Sequence, residues 1–188
     1  MFYIPIILGS IRRGRQSPKV AHFISERMQQ TGKIETEILD LMEHNFPMME
    51  ERLRLRNDPP ARLQEFSDKI AAADALVIVT PEYNSGYPAP LKNALDYLFP
   101  EFKRKPVGVI SVSGGSFGGL TALAELRTVL LAMGALPIPI RFPIANVEKT
   151  FNDAGVPNDP IYESSAQAFL DELLWLTEAI VAQKSKEK

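Results

Sequence analysis

A short arginine-rich segment near the start of the chain has the residue types that bind phosphate. Residues 9–17 read Gly-Ser-Ile-Arg-Arg-Gly-Arg-Gln-Ser and directly follow the apolar run from Tyr3 to Leu8. Glycine lets the backbone approach an anion closely, and the free N–H groups of a following helix point at that anion. Arginine adds bidentate, charge-assisted hydrogen bonds. Arg12 and Arg15 are the favoured anion ligands, because closely spaced arginines repel one another unless an anion or carboxylates compensate them. The segment predicts a site for a phosphorylated small molecule.

Two more unusual loops are expected at the same edge of a sheet. Residues 81–88 read Pro-Glu-Tyr-Asn-Ser-Gly-Tyr-Pro, and residues 113–119 read Ser-Gly-Gly-Ser-Phe-Gly-Gly. We call residues 9–16, 81–88 and 113–119 the first, second and third loops. Each follows an apolar run, and ligands of open parallel sheets bind outside the carboxyl ends of the strands. Tyr83 and Tyr87 offer aromatic surface to a flat ligand, and the helix after the third loop would favour negative charge on it. A flavin fits, with its phosphate in the first loop and its ring between the other two.

The same residues also have purely structural interpretations, which stay open at this point. Tyr83 and Tyr87 are equally consistent with surface aromatics that cover the core. Gly119 fits close packing of a helix on the sheet better than ligand binding. Glu82 fits a solvated charge or the partner of a helix better than a catalytic group.

Two familiar motifs are present only in part. Residues 9–14 have the glycine spacing of a P-loop, but Arg15 and Gln16 stand where the lysine and the hydroxyl residue should be, which argues against nucleotide hydrolysis. Residues 114–118 match the G-x-S-x-G nucleophile elbow around Ser116, but both histidines of the chain precede it, so the expected base is missing. A serine hydrolase is therefore a less favoured alternative. Ile11 also departs from the dinucleotide fingerprint G-x-G-x-x-G, which needs glycine at that position.

Composition narrows the classes of function further. The chain has 188 residues, 45% hydrophobic and 23% charged, which is typical of one ordinary globular domain. A net charge of -2 gives no reason to expect nucleic acid or membrane as a partner. With no cysteine and only His22 and His44, which we interpret as structural, disulfides, thiol chemistry and a metal site are not expected. The sequence shows neither a secretory leader pattern nor a long apolar stretch, so we expect a cytoplasmic protein.

Strand and helix patterns alternate along the chain and predict an α/β fold with a three-layer sandwich. Four strands are predicted, and the first, third and fourth of them are nearly continuous apolar, β-branched runs. A fifth strand, interrupted by Pro137 and Pro139, is expected at a sheet edge. The five strands are predicted at residues 2–8, 34–39, 75–80, 107–112 and 136–142. Helices are predicted from Ser17, the expected N-cap before Pro18, and at residues 61–73, 89–99, 120–133 and 164–183. Residues 1–183 form the predicted single domain, and 184–188 a charged disordered tail. The connections at residues 43–60 and 143–160 are long enough to be lids, interface segments or mobile.

Four motifs together resemble the NADPH-dependent FMN reductase family of the flavodoxin-like superfamily. They are Leu8-Gly9-Ser10-Ile11-Arg12 with Ser17, Pro81-Glu82-Tyr83-Asn84, Leu91-Lys92-Asn93-Ala94-Leu95-Asp96 and Ser113-Gly114-Gly115. The resemblance implies a flavodoxin-like sandwich whose five-stranded parallel sheet has the order 2-1-3-4-5, with helices on both faces. It also implies FMN as cofactor, NADPH or NADH as electron donor, and a homodimer or homotetramer. The cofactor-binding residues expected from the motifs and the arginine cluster are Ser10, Arg12, Arg15, Gln16, Ser17, Pro81, Glu82, Tyr83, Asn84, Ser113, Gly114, Gly115 and Ser116.

The resemblance implies a ping-pong oxidoreductase that passes hydride from NADPH to FMN and then to a small-molecule acceptor. That acceptor is expected to be a quinone, azo compound, flavin or metal oxyanion. No catalytic acid or base is assigned, because the flavin carries the chemistry. The main alternative is a non-enzymatic electron carrier of the flavodoxin type, and a hydrolase acting through Ser116 is less favoured. The first loop is longer than the common family pattern by Gly14 and Arg15, which leaves the roles of Arg13, Arg15 and Gln16 open.

Overall fold

The computed structural model describes residues 1–187 and contains an α/β fold around a parallel sheet. Every strand pair in it is parallel. The strands are β1 (Phe2–Tyr3), β2 (Ile6–Leu8), β3 (Ile34–Glu35), β4 (Ile38–Asp40), β5 (Leu76–Pro81), β6 (Pro106–Val112), β7 (Leu136–Pro137) and β8 (Phe142–Ile144). Along the main sheet they lie in the order β4-β2-β5-β6-β7, β8 also pairs with β6, and β1 and β3 form a separate pair.

Three of the predicted strands are each divided into two short strands. In the first strand, Pro5 separates β1 from β2, because proline has no N–H to donate to the ladder. In the fifth strand, β7 and β8 both pair only with β6, so this strand lies at the sheet edge, as its prolines predict. The carboxyl ends of β2, β5 and β6 therefore meet at one rim of the sheet, where the three loops begin.

Helices fill the connections between the strands. They are α1 (Ser17–Gln30), α2 (Leu41–His44), α3 (Ala61–Ala72), α4 (Ala89–Tyr97), α5 (Leu120–Ala132), α6 (Val147–Thr150) and α7 (Ile161–Lys186), with short 3-10 turns at Leu53–Leu55 and Pro100–Phe102. The N-cap of α1 is Gln16, one residue before the predicted Ser17, which is instead the first helical residue.

The last helix is longer at both ends than the sequence predicts. It begins at Ile161 and continues to Lys186, so residues 184–186 are helical where a disordered tail is expected, and Lys188 lies outside the described residues. Lys184 and Lys186 lie in its last turn, where positive charge is favourable to the helix dipole. Trp175 lies near the apolar stripe of this helix, a position that predicts packing, but its side chain is 66% exposed.

Two hydrophobic clusters lie on opposite faces of the sheet, because side chains alternate along each strand. Ile6 and Val77 point to a cluster that includes α1 and α7, whereas Ile7 and Ile78 point to one that includes α3, α4 and α5. Gly108 in β6 allows the close approach of α7, since a Cβ there would clash with Cζ of Phe169. These layers fix the ends of the strands and hence the three loops. Among the helices of residues 1–187, none has the length and apolar character to cross a membrane.

Candidate functional site

The three loops converge on one cleft at the carboxyl ends of β2, β5 and β6. Nine of the thirteen predicted site residues line it, and they come from all three loops and the first residue of α1. The lining residues are Arg12, Gly14, Arg15, Gln16, Ser17, Pro81, Glu82, Tyr83, Val112, Ser113, Gly114, Val147 and Glu148. Ser10, Asn84, Gly115 and Ser116 are the predicted residues that do not line it.

The first loop is anchored to the rest of the rim by Gly9 and Ser10. A Cβ on Gly9 would lie 3.0 Å from Cδ2 of Leu91, so glycine allows the loop to start against α4. Ser10 is fully buried, and its hydroxyl shares a hydrogen bond of 2.8 Å with the Tyr83 hydroxyl and accepts one from Arg12 N–H at 3.3 Å. Ser10 therefore joins the first and second loops beneath the cleft and is not part of its surface.

Arg15 is compensated by a carboxylate of the protein itself. Its Nη1 donates to Oδ1 of Asp40 at 2.6 Å and also to the carbonyl of Ser10, while its Nη2 bonds to the second Asp40 oxygen. Both side chains are largely buried, with 14% and 13% exposed. Asp40 Oδ1 also accepts from Met42 N–H and so caps α2. The loop is thus folded around the Arg15 guanidinium, which is tied to the end of β4.

One corner of the cleft holds polar groups that lack a protein partner among the described residues, and they belong to Arg12, Gln16 and Ser17. Arg12 is exposed, its guanidinium carbon lies 6.0 Å from the centroid of the Tyr83 ring, and it has no ion pair within residues 1–187. Ser17 Oγ and Gln16 Oε1 are buried and have no hydrogen-bond partner in the same part of the chain. They lie at the N-terminus of α1, where the first backbone N–H groups are free of intrahelical bonds. This corner of the cleft therefore carries positive potential and spare hydrogen-bonding capacity.

The second loop is a tight turn with two residues in the left-handed region. Asn84 and Ser85 have φ of 51° and 63°, and Tyr83 and Gly86 exchange backbone hydrogen bonds of 2.8 and 3.1 Å. Positive φ at both central positions is the requirement of a type I′ turn. The turn carries Asn84 outward to an exposed position, away from the lining residues. Burial raises the pKa of Tyr87, the second aromatic residue of the loop.

Glu82 occupies the N-terminus of α5. Its Oε2 accepts from the backbone N–H groups of Thr121 and Ala122, both at 3.0 Å. The sequence predicts that this helix end stabilises negative charge on a bound ring. That expectation is wrong, because the Glu82 carboxylate already occupies the helix end. The alternative interpretation of Glu82 as the partner of a helix describes its contacts.

The third loop is held on both sides by backbone and hydroxyl contacts. Ser111 Oγ donates to the Gly118 carbonyl at 2.7 Å, and Ser113 Oγ accepts from Gly115 N–H at 2.9 Å. The N–H groups of Asn146 and Val147 donate to the carbonyls of Gly115 and Ser113, at 3.0 and 3.1 Å. Ser113 and Gly114 face the cleft from this loop, whereas Gly115 and Ser116 lie at its exposed tip.

The segment around α6 brings Val147 and Glu148 to the cleft, and sequence reasoning missed both. They lie in the long 143–160 connection, whose composition carries no ligand-binding pattern. The Asn93 amide of the third motif has a structural role, because its Oδ1 accepts from Met49 N–H at 2.8 Å and its Nδ2 donates to the Pro47 carbonyl at 2.8 Å. It fixes part of the 43–60 connection against α4.

Neither His22 nor His44 lines this cleft. His22 is exposed on α1. His44 packs against Phe46 and Phe66 with ring centroids 5.2 and 5.3 Å apart, and burial lowers its pKa. Ser116 itself is exposed at the tip of the third loop, and neither imidazole lines the cleft. The base that a serine hydrolase needs is therefore missing from this cleft.

The residues of the cleft fit FMN. The Ser17 hydroxyl, the N-terminus of α1 and Arg12 suit a phosphate, and the unpaired Gln16 carbonyl suits a ligand hydroxyl. A Cβ built on Gly114 meets no atom within 4 Å, so glycine leaves space on the cleft wall. Residues 1–187 contain no group of three or more His, Asp or Glu side chains suited to a metal ion.

Comparison with known proteins gives a consistent result. Residues 3–149 match the sequence profile of the family described as NADPH-dependent FMN reductase. A quinone reductase of Pseudomonas putida is 32% identical over 179 residues, covering 91% of this chain and 92% of that protein. An FMN-dependent NADPH-azoreductase of Staphylococcus aureus is 30% identical over 178 residues, covering 90% and 92%. The solved structure of FerB, a flavoenzyme NAD(P)H:(acceptor) oxidoreductase from Paracoccus denitrificans, superposes with a TM-score of 0.81 at 26% identity, covering 95% and 98%. These matches favour neither an electron carrier nor a serine hydrolase.

Proposed function

The chain belongs to the NADPH-dependent FMN reductase family, and from that premise we propose that it is an FMN-dependent NAD(P)H reductase of quinone or azo acceptors. The quinone reductase and azoreductase relatives support this proposal. The net reaction with a quinone is NAD(P)H plus a proton plus quinone to NAD(P)⁺ plus hydroquinone. The chemistry that FMN supplies when bound is this two-electron transfer.

The observation that carries the proposal is the buried hydroxyl of Ser17, which has no hydrogen-bond partner among residues 1–187. It lies at the start of α1 in a cleft that Arg12 also lines. An unpaired buried hydroxyl costs about 1–3 kcal/mol, and a ligand phosphate oxygen that accepts from it removes that cost. We assign Ser17, Gln16, Arg12 and the N–H groups of α1 to the phosphate and ribityl part of FMN.

The second and third loops are assigned to the ring of FMN. Pro81, Glu82 and Tyr83 line the cleft on one side, and Ser113 and Gly114 line it on the other. Their backbone is fixed by the type I′ turn and by the contacts of the third loop to residues 144–147, so little ordering remains to be done on binding. Arg15 and Ser10 hold the first loop in shape and are assigned to positioning it. Asn84, Gly115 and Ser116 stay predicted contacts of the ring.

The kinetic pattern expected of this site is ping-pong. The lining residues form one cleft, so donor and acceptor use the same open side in turn. Parallel lines in double-reciprocal plots of initial rate, at several fixed acceptor concentrations, are the expected result. Intersecting lines would show that both substrates are bound together.

The proposed function is tested by absorption spectroscopy of the full chain after incubation with FMN and desalting. Flavin bands that are retained and bleach in one step as NADPH is added without oxygen, then return on addition of a quinone, are the expected result. Retained bands that do not bleach would support a carrier. Loss of the bands on desalting, together with no reductase activity, would contradict the proposal.

We propose that the protein acts as a homodimer or homotetramer in the cytoplasm, with residues 1–183 as one domain. An apolar pocket beside the first loop supports self-association. Its lining includes Ile11 and Met48, which are 41% and 76% exposed, next to Phe46 and Pro90. Sedimentation equilibrium should give a mass of at least twice the 21.0 kDa of one chain. A mass of one chain at micromolar concentration would reject the oligomer.

A further inference from the structure

Glu82 lines the candidate flavin cleft and at the same time caps α5. Its Oε2 accepts from Thr121 N–H and Ala122 N–H, and its own N–H donates to the Val112 carbonyl at 3.3 Å. The cap residue of α5 is Gly119, which has no side chain and a φ of 77°. Glu82 is thus the acidic group that satisfies the start of a 13-residue helix from outside it.

The position of this carboxylate depends on glycine at 119. A Cβ at that residue would lie 3.4 Å from the Glu82 Cβ and 3.1 Å from the Ser111 Cβ. The left-handed backbone of Gly119 therefore lets α5 begin directly against the second loop. Two charge-assisted hydrogen bonds then join the second loop to the helix that follows the third loop.

The electrostatic consequence concerns the sign of the potential in the cleft. An uncapped helix N-terminus carries roughly half a positive unit charge and would stabilise the extra electrons of a reduced flavin. With the carboxylate of Glu82 on it, the local sum is negative. Negative charge beside a redox group favours its oxidised form.

We propose that Glu82 is a positioning residue that holds the second loop on α5 and, by placing its charge on the helix end, lowers the reduction potential of FMN bound in the cleft. This inference rests on the proposed function, because it needs FMN in the cleft. A low potential makes the reduced cofactor a stronger donor to the acceptor. Glu82 takes no part in proton transfer in this scheme.

The test compares the FMN-loaded full chain with Glu82→Gln, Glu82→Asp and Glu125→Gln. Glutamine keeps an oxygen that can accept both N–H bonds but removes the charge, whereas aspartate keeps the charge but shortens the reach. Glu125→Gln removes the same charge from an exposed position on α5 that does not line the cleft. The measurements are the reduction potential by equilibration with a reference dye, the FMN dissociation constant, and the thermal midpoint of the apoprotein.

In Glu82→Gln we expect the ratio of oxidised to reduced flavin, at equilibrium with the dye, to fall by about threefold or more. A unit charge within about 20 Å of the flavin, at an effective dielectric constant of about 20, implies a change of at least this size. The thermal midpoint should stay near that of the wild type. Glu82→Asp should keep the wild-type potential even if its FMN affinity falls, and Glu125→Gln should shift the ratio less. A Glu82→Gln potential equal to that of the wild type would overturn the inference. So would an equal shift in Glu82→Asp, because the effect would then be geometric.

These outcomes are distinct from failure of the proposed function. If the wild-type chain does not retain FMN, or FMN is not reduced by NADPH, the function itself is rejected. If the wild type passes both tests and only the potentials of the variants are unchanged, the function stands and the role of Glu82 is rejected.

Discussion

The hydroxyls of Ser10 and Tyr83 share a partly buried hydrogen bond of 2.8 Å, which joins the loop after β2 to the loop after β5. The two residues are 73 positions apart in the chain, so the bond fixes the relative placement of two walls of the cleft. It also explains why a serine of the first motif is fully buried and does not line the cleft.

Tyr83→Phe should therefore destabilise the apoprotein by about 1 kcal/mol, the usual net value of such a bond, and leave the Ser10 hydroxyl short of a partner. Urea unfolding measures the change. Tyr87→Phe is the matched control, since the Tyr87 hydroxyl lies in the same loop and makes no side-chain hydrogen bond within the described residues. Equal losses in both variants would contradict a specific role for the Ser10–Tyr83 bond.

Arg15 and Asp40 should act as a coupled pair in the absence of any ligand. Arg15→Met leaves the Asp40 carboxylate without its main partner, and Asp40→Asn leaves the guanidinium without its countercharge. A double-mutant cycle on the free energy of unfolding should give a coupling of about 1–2 kcal/mol. Because Asn keeps the oxygen that caps α2, the cycle reports mainly on the ion pair. Additive effects of the two changes would show that the pair contributes nothing.

Arg12 should behave in the opposite way, with little effect on the apoprotein and a large one on FMN. Arg12→Ala is expected to weaken FMN binding by about 1.5–3 kcal/mol, the scale of a charged hydrogen bond. Fluorescence titration of FMN measures the affinity, and Arg13→Ala is the control because Arg13 is exposed and does not line the cleft. An affinity unchanged in Arg12→Ala would place the phosphate elsewhere.

The parts of the site that follow from local sequence could be predicted, and those that depend on distant side chains could not. Continuous apolar runs such as residues 75–79 identify buried parallel strands, and Asn84-Ser85-Gly86 identifies a turn, since both signals lie within a few residues. The pairing of Arg15 with Asp40 leaves no such signal, because it depends on how β2 and β4 are aligned. Without that alignment, Arg15 looks the same as Arg12 in the sequence, although their surroundings differ.

The same limit applies to Glu82 and to Val147 and Glu148, which are two of the four lining residues outside the predicted set. Glu82 reaches the start of α5 because the parallel pairing of β5 with β6 brings residues 82 and 121 together. Val147 and Glu148 reach the cleft because backbone bonds from residues 146 and 147 attach their segment to the third loop. Neither contact is encoded by spacing along the chain.

Lys105 should make stability depend on pH in the alkaline range. It is 3% exposed, and burial lowers its pKa to about 8. The unfolded chain then binds more protons than the folded one between pH 8 and the ordinary lysine pKa of about 10.4, so stability rises with pH across that window. We expect a gain of about 2 kcal/mol from pH 7 to pH 9.5.

Urea unfolding at the two pH values measures this gain, and Lys105→Met should remove it. The upper pH is kept below 10 because the pKa of Tyr3 is raised, by burial and by its hydrogen bond to Glu37, which lowers stability at higher pH. The same gain in Lys105→Met as in the wild type would assign it to other groups.

Gly114 and Gly118 lie four residues apart in the third loop but should respond differently to substitution. A Cβ on Gly114 meets nothing within 4 Å, whereas one on Gly118 would lie 2.8 Å from the Pro143 Cβ at a φ of 64°. Gly114→Val should therefore leave the unfolding free energy of the apoprotein within about 0.5 kcal/mol of wild type. Its side chain occupies the wall of the cleft, so FMN affinity should fall by tenfold or more, about 1.4 kcal/mol. Gly118→Ala, in contrast, should lower the unfolding free energy of the apoprotein by about 1–3 kcal/mol, because of strain at positive φ and the contact with Pro143. If Gly114→Val bound FMN as tightly as the wild type, the third loop would not form a wall of the cofactor site, and the ring would have to lie elsewhere on the rim.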